Sequence, residues 1–121
     1  MTIKECIRRA DMNRPNQFSL ADKLRWLTYI ENTIIDEVIN THEGEKREHV
    51  VLTEADKEEE LIVGMPYDEL YTAYIYTKID EVNGDTARYN NDATLFNAYY
   101  ENFKKTYHRN HMPIMVANIN V

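Results

Sequence analysis

Apolar residues in the second half of the chain keep one helical phase across a glycine. Tyr67, Leu70, Tyr71, Tyr74, Ile75, Ile79 and Val82 follow the three- and four-residue spacing of a helix, and Thr86, Tyr89, Ala93, Phe96, Tyr100, Phe103 and Tyr107 continue it. The turn signal Asn83-Gly84-Asp85 lies between the two stretches. A chain reversal there would make the shared phase a coincidence. The spacing therefore favours one long C-terminal helix over 66–108, kinked or broken near Gly84 and about 65 Å long at 1.5 Å rise per residue, over the alternative of two helices broken between Asn83 and Asn91. Such a helix exceeds the width of a small domain, so part of its seam needs a neighbouring subunit. Tyrosine suits a surface buried only on assembly, because its hydroxyl stays hydrated at the rim.

Two more helices precede it. Ile3, Cys6, Ile7 and Ala10 form a short amphipathic stretch over 2–10, with Thr2 as N-cap and Glu5 closing a capping box. Pro15 ends it. Ser19 is the next N-cap, and Leu24, Leu27, Ile30, Ile34 and Val38 make the apolar stripe of a helix over 19–42, with Gly44 as breaker. Residues 45–64 lose the helical period. His49 to Thr53 and Glu60 to Val63 are short β-branched or aliphatic runs around a charged loop, which predicts a small β-hairpin insert. Residues 112–121 are apolar without helical phase and predict an extended tail. The expected fold is mainly α: a single-domain helical bundle over 1–121 with that hairpin inserted.

Charge sharpens the division. The 121 residues hold 14 Lys+Arg and 21 Asp+Glu, a net charge of -7. Residues 1–42 balance six acids with six bases, and 70–121 balance five with five. The whole excess lies between Glu43 and Glu69, where ten acids meet only Lys46, Arg47 and Lys57. This balance argues against nucleic acid as the main partner. Cys6 is the only cysteine, which excludes an intramolecular disulfide and cysteine-based zinc sites and reads as a small buried hydrophobe. Neither a membrane-spanning apolar run nor a signal peptide is visible, so a cytoplasmic location is expected.

Candidate chemistry is sparse. His108 and His111, three apart, could share a helix face with His42 or His49 as remote ligands, but Arg109 between them disfavours a cation, and a solvated helix end is the expected reading. Glu54, Asp56, Glu58, Glu59 and Glu60 lack the spacing of a calcium loop and read as solvated. No phosphate loop or nucleophile motif is present, so no enzyme, cofactor or metal is expected.

Two stretches resemble a known family. Arg14-Pro15-Asn16-Gln17-Phe18-Ser19, Lys23-Leu24-Arg25-Trp26-Leu27, Ile34-Ile35-Asp36-Glu37-Val38-Ile39 and Thr41-His42-Glu43 are similar to the opening helices of small head-to-tail connector (neck or adaptor) proteins of tailed bacteriophages and prophages. Pro66-Tyr67-Asp68-Glu69-Leu70-Tyr71, Ile79-Asp80, Asn83-Gly84, Arg88-Tyr89-Asn90-Asn91, Phe96-Asn97 and Arg109-Asn110-His111-Met112-Pro113 are similar to their C-terminal half, with a departure at Asn110, where a Thr is commoner. The resemblance implies a structural virion protein that forms a homo-oligomeric ring beneath the portal, extends the DNA channel, and contacts the portal and neck or tail proteins. DNA would pass without specific binding. The implied location is the host cytoplasm during assembly and then the virion neck. On that reading Tyr71, Tyr89, Phe96, Tyr100, Phe103, Tyr107, Pro113, Ile114 and Val116 are the candidate interface. The acidic residues Glu54, Asp56, Glu58, Glu59 and Glu60 form a candidate channel- or portal-facing loop. The alternative is a small intracellular phage or host regulator that binds a protein through its Tyr-rich helical face.

Overall fold

The structure, a computed structural model, describes residues 1–114. Its helices are α1 (Ile3–Asn13), α2 (Leu20–Glu37), α3 (Glu69–Asn83) and α4 (Thr86–Asn110), so the chain is mainly helical. The N-cap residues act as read, whereas Glu5 closes no capping box and instead accepts from the Thr2 hydroxyl at 3.3 Å. The Thr2 hydroxyl oxygen accepts the Glu5 amide at 3.1 Å, and Ser19 accepts the Asp22 amide at 3.1 Å. The second helix stops earlier than its apolar stripe suggests. A 3-10 turn, Ile39–Thr41, follows α2, and the His42 ring and Thr41 hydroxyl bond back to the Val38 carbonyl.

Of the two readings of 66–108, the single long helix is not formed and the two-helix alternative is, with the break at Gly84. Gly84 adopts the left-handed conformation (φ 72°, ψ 20°), where a side chain is disfavoured, and its amide reaches the Asp80 and Glu81 carbonyls. Asp85 then caps the next helix through the Arg88 amide at 3.1 Å. The chain therefore reverses, and α4 runs antiparallel along α3, with Tyr74 against Phe96 (ring centroids 5.3 Å) and Tyr67 against Phe103 (6.5 Å). The shared phase has a simple origin: each helix carries an apolar stripe that the other covers. A seam long enough to need a neighbour is consumed within one chain.

The β-hairpin over 45–64 is also absent, and no strand occurs among the described residues. Its first run instead lies extended along α2. Four polar residues of α2 and the following turn, at four-residue spacing, hold it there. Asn40 bonds both the Arg47 amide (2.9 Å) and carbonyl (2.8 Å), Asp36 meets the His49 ring (2.8 Å), Asn32 bonds the Val50 amide (2.8 Å) and carbonyl (2.9 Å), and the Thr28 hydroxyl accepts the Leu52 amide (3.0 Å). After a 3-10 turn, Glu54–Asp56, the return run serves the first turn of α1. The Lys57 and Glu59 carbonyls accept the Lys4 amide (2.9 Å) and the Ile3 amide (3.0 Å), donors that a helix start leaves unpaired. Backbone groups that a hairpin would pair with each other are thus taken by α2 and α1. Leu61 and Val63 then enter the core. The segment is a strap bound into the fold, not a detachable insert.

The core joins Ile3, Cys6 and Ala10 of α1, Leu27, Ile30 and Ile34 of α2, and Leu70, Tyr71, Ile75 and Ile79 of α3. From α4 only Tyr100 and Phe103 are buried among the apolar residues, with Phe96, Tyr99 and Tyr107 packed at the edge.

Candidate functional site

The candidate interface residues divide by burial. Tyr71 is 0% exposed; its hydroxyl donates to Glu31 and accepts the Val63 amide at 2.9 Å, so it belongs to the core and not to a free face. Tyr100 and Phe103 are buried, and Tyr100 donates to the Glu37 carboxylate at 2.7 Å. Phe96 stacks on Tyr100 and Phe103 tilts against Tyr107, so the aromatic row of α4 packs mostly on its own chain. Tyr89, Phe96 and Tyr107 keep partly exposed edges. Pro113 and Ile114 are exposed, at the start of a segment that pairs with residues 41–43: the Glu43 amide donates to the Met112 carbonyl (2.7 Å) and the Ile114 amide to the Thr41 carbonyl (2.9 Å). Val116, with the rest of the tail, lies outside the described residues.

In the acidic loop Glu54, Glu58, Glu59 and Glu60 are exposed and Asp56 is half-buried. Asp56 closes a capping box with Thr53, accepting its amide at 2.8 Å, and Glu58 faces Lys4 across 3.5 Å. These carboxylates are spread over the outer side of the strap, and their backbone does the structural work. Among the described residues no three His, Cys, Asp or Glu gather into a group able to hold a metal ion. His49 pairs with Asp36, whereas His111 stacks on Tyr107 with ring centroids 3.8 Å apart. His42 and His108 do meet, at 3.1 Å. Cys6 is fully buried, and burial pushes its thiol up to about 12, so it is inert at neutral pH.

Sequence reasoning missed two features. The first is a buried ion cluster. Arg14, the C-terminal cap of α1, bonds Asp80 of α3 and Asp92 of α4 (3.0 Å), and its guanidinium lies 4.7 Å over the Tyr76 ring. Asp80 and Asp92 are 2% and 5% exposed. Burial and the adjacent Asp92 carboxyl push the Asp80 carboxyl above its ordinary value. A signal existed: Asp80 and Asp92 sit on seams otherwise apolar or aromatic. The second is apolar surface. A groove of about 430 Å³ lies between α1 and the start of α2, floored by Ile7, Met12, Leu20 and Leu24 and edged by Lys4, Arg8 and Lys57. Tyr29 (66% exposed) and Val82 (60% exposed) line a second hollow, with Lys78, between α2 and α3. Leu20 and Tyr29 are nine residues apart on α2, which at 100° per residue sets them about 180° apart around its axis.

None of the helices is long and apolar enough to cross a membrane among the described residues. Comparison of the chain with family models, curated proteins and solved structures gave no match.

Proposed function

We propose that this protein is a non-enzymatic, ring-forming connector of the phage neck. The reading rests on the sequence resemblance, and one structural observation supports it best: two exposed apolar patches on opposite sides of α2, around Met12 and Leu20 and around Tyr29 and Val82. A protomer with different adhesive faces on opposite sides associates head to tail, and such contacts close into a ring when the rotation permits. The residues that carry the resemblance are consistent with a scaffold. Arg14 and Asp80 form the buried ion cluster, Asn16 ties Asp11 (3.0 Å) to the Phe18 amide (3.0 Å), and Gly84 makes the reversal. In this reading the exposed carboxylates of the strap repel DNA phosphates moving through the channel.

Native mass measurement at high protein concentration, alone and with the cognate portal, tests the proposal. A ring is expected, weakened by Leu20→Glu and by Tyr29→Lys independently. A persistent monomer without portal affinity would end it. The alternative, a regulator docking through tyrosines, would have to use Tyr29 and the partly exposed tyrosine edges, since Tyr71, Tyr74 and Tyr100 are buried.

A further inference from the structure

His42 follows the turn after α2 and His108 lies in the last turn of α4, and their rings meet at 80° with Nε2 of His42 3.1 Å from Nδ1 of His108. The other His42 nitrogen, Nδ1, is 2.8 Å from the Val38 carbonyl oxygen. A carbonyl only accepts, so Nδ1 carries the hydrogen and Nε2 presents its lone pair toward His108. Proteins orient metal-binding imidazoles in this way, by fixing the tautomer through a hydrogen bond on the opposite nitrogen. Two nitrogens bound at 2.0–2.1 Å to one tetrahedral ion stand about 3.3 Å apart. The nitrogen separation is therefore within about 0.2 Å of that distance, and small ring rotations that turn both lone pairs toward one point beside the N···N line would complete the site.

The surroundings permit it. His108 is exposed and gives access, whereas His42 is 8% exposed and held in place by Val38, by Thr41 and by the edge of Tyr107. The nearby cations are engaged elsewhere: Lys46 donates to the Asn40 and His42 carbonyls (both 3.1 Å), and Arg109 to Thr106 (3.2 Å). No third His, Cys, Asp or Glu joins the pair into a larger ligand group among the described residues, and the His111 ring stacks flat on Tyr107 instead, with centroids 3.8 Å apart.

We propose that His42 Nε2 and His108 Nδ1 together bind one divalent first-row transition-metal ion, of the zinc, nickel or copper class, with water in the remaining positions. Imidazole suits these ions better than magnesium or calcium, which prefer oxygen. On binding, the proton that His108 Nδ1 shares with His42 moves to the outward nitrogen or to solvent, and the metal–nitrogen bonds replace the hydrogen bond. The ion fastens the end of α4 to the turn after α2, the place where residues 112–114 lie against 41–43.

Calorimetric titration of the full chain with zinc chloride and with nickel chloride, paired with thermal melts, tests this. One ion per chain is expected, with a Tm rise of at least about 3 °C in saturating excess and full reversal by chelator. His42 is buried and its substitution risks misfolding, so His108→Ala is the informative variant, with its fold checked by circular dichroism. It should lose both binding and Tm rise, while His111→Ala and His49→Ala retain them. Absence of binding to the native chain, binding that survives His108→Ala, or binding lost with His111→Ala would each overturn the assignment.

Discussion

Tyr71 and Glu31 face each other in the core, the phenol of α3 donating to the carboxylate of α2. The same two side chains receive the strap, since Glu31 accepts the Ile62 amide at 2.9 Å and Tyr71 accepts the Val63 amide at 2.9 Å. Three separate parts of the chain are thereby joined at a point closed to water. Both strap amides find their acceptors there, and the one on buried Val63 would otherwise be unpaired away from water.

Tyr71→Phe removes one donor and one acceptor while keeping the ring. The Val63 amide and one Glu31 oxygen lose their partner, a cost of about 1–3 kcal/mol. Urea unfolding should show that loss, and amide exchange at Val63 should accelerate selectively. Unchanged exchange at Val63 would refute the role given to the phenol.

The pH response of Glu31 has a definite sign. Burial pushes its carboxyl above the ordinary value of 4.5, so the folded state holds the proton more tightly than the unfolded chain. Its contribution is present in full below pH 4.5 and is lost as pH rises through the folded value. Asp80 is raised too and acts in the same direction. Glu31→Gln isolates the first: urea midpoints should move in favour of the variant, relative to the native chain, as pH rises from 4.5. Parallel curves would rule the effect out.

Arg14 is the only cation bonded to Asp80 and Asp92 among the described residues. Arg14→Ala should cost about 3–5 kcal/mol, because two buried carboxyls lose their counter-charge. Adding Asp80→Asn and Asp92→Asn should recover part of that loss. Equal stability of the single and triple variants would show that charge is not the cause.

Gly84 adopts φ 72°, and a Cβ built there would meet nothing within 4 Å. Its substitution therefore costs backbone strain alone. Gly84→Ala should lower stability by about 1 kcal/mol, and Gly84→Val by more. Thermal melts of the two variants check the order; equal melting points with the native chain would contradict it.

Deleting residues 45–60 removes the carbonyls that complete the first turn of α1 and the contacts of the strap with α2. Loss of cooperative unfolding and of helical signal is expected in circular dichroism. A deletion variant that melts like the native chain would return the segment to the status of an insert.

Much of the helical content could be read locally. Thr2 and Ser19 are caps because their own oxygens reach amides three residues on, and the stripe of α2 meets the core at 3.6-residue spacing. The helix reversal at Gly84 was harder, since an intact apolar phase fits both a straight helix and two helices folded on each other. The polar row Thr28, Asn32, Asp36 and Asn40 was visible as spacing, but nothing local said that it would hold an extended segment. His42 and His108 are 66 residues apart, and neither has a sequence neighbour that announces the other.

The sequence by itself therefore determined where α1 and α2 start, which faces are apolar, and that the excess acid lies in one stretch. Capping and periodicity depend on residues within one or two turns, so they survive without knowledge of the fold. Only the tertiary structure decided which apolar stripe covers which, whether aromatic rings serve the core or a free face, and where the strap spends its backbone hydrogen bonds. Those outcomes depend on competition among distant partners. A buried amide takes the acceptor that chain geometry brings within about 3 Å, and for residues 47–63 that acceptor was a helix and not a sister strand.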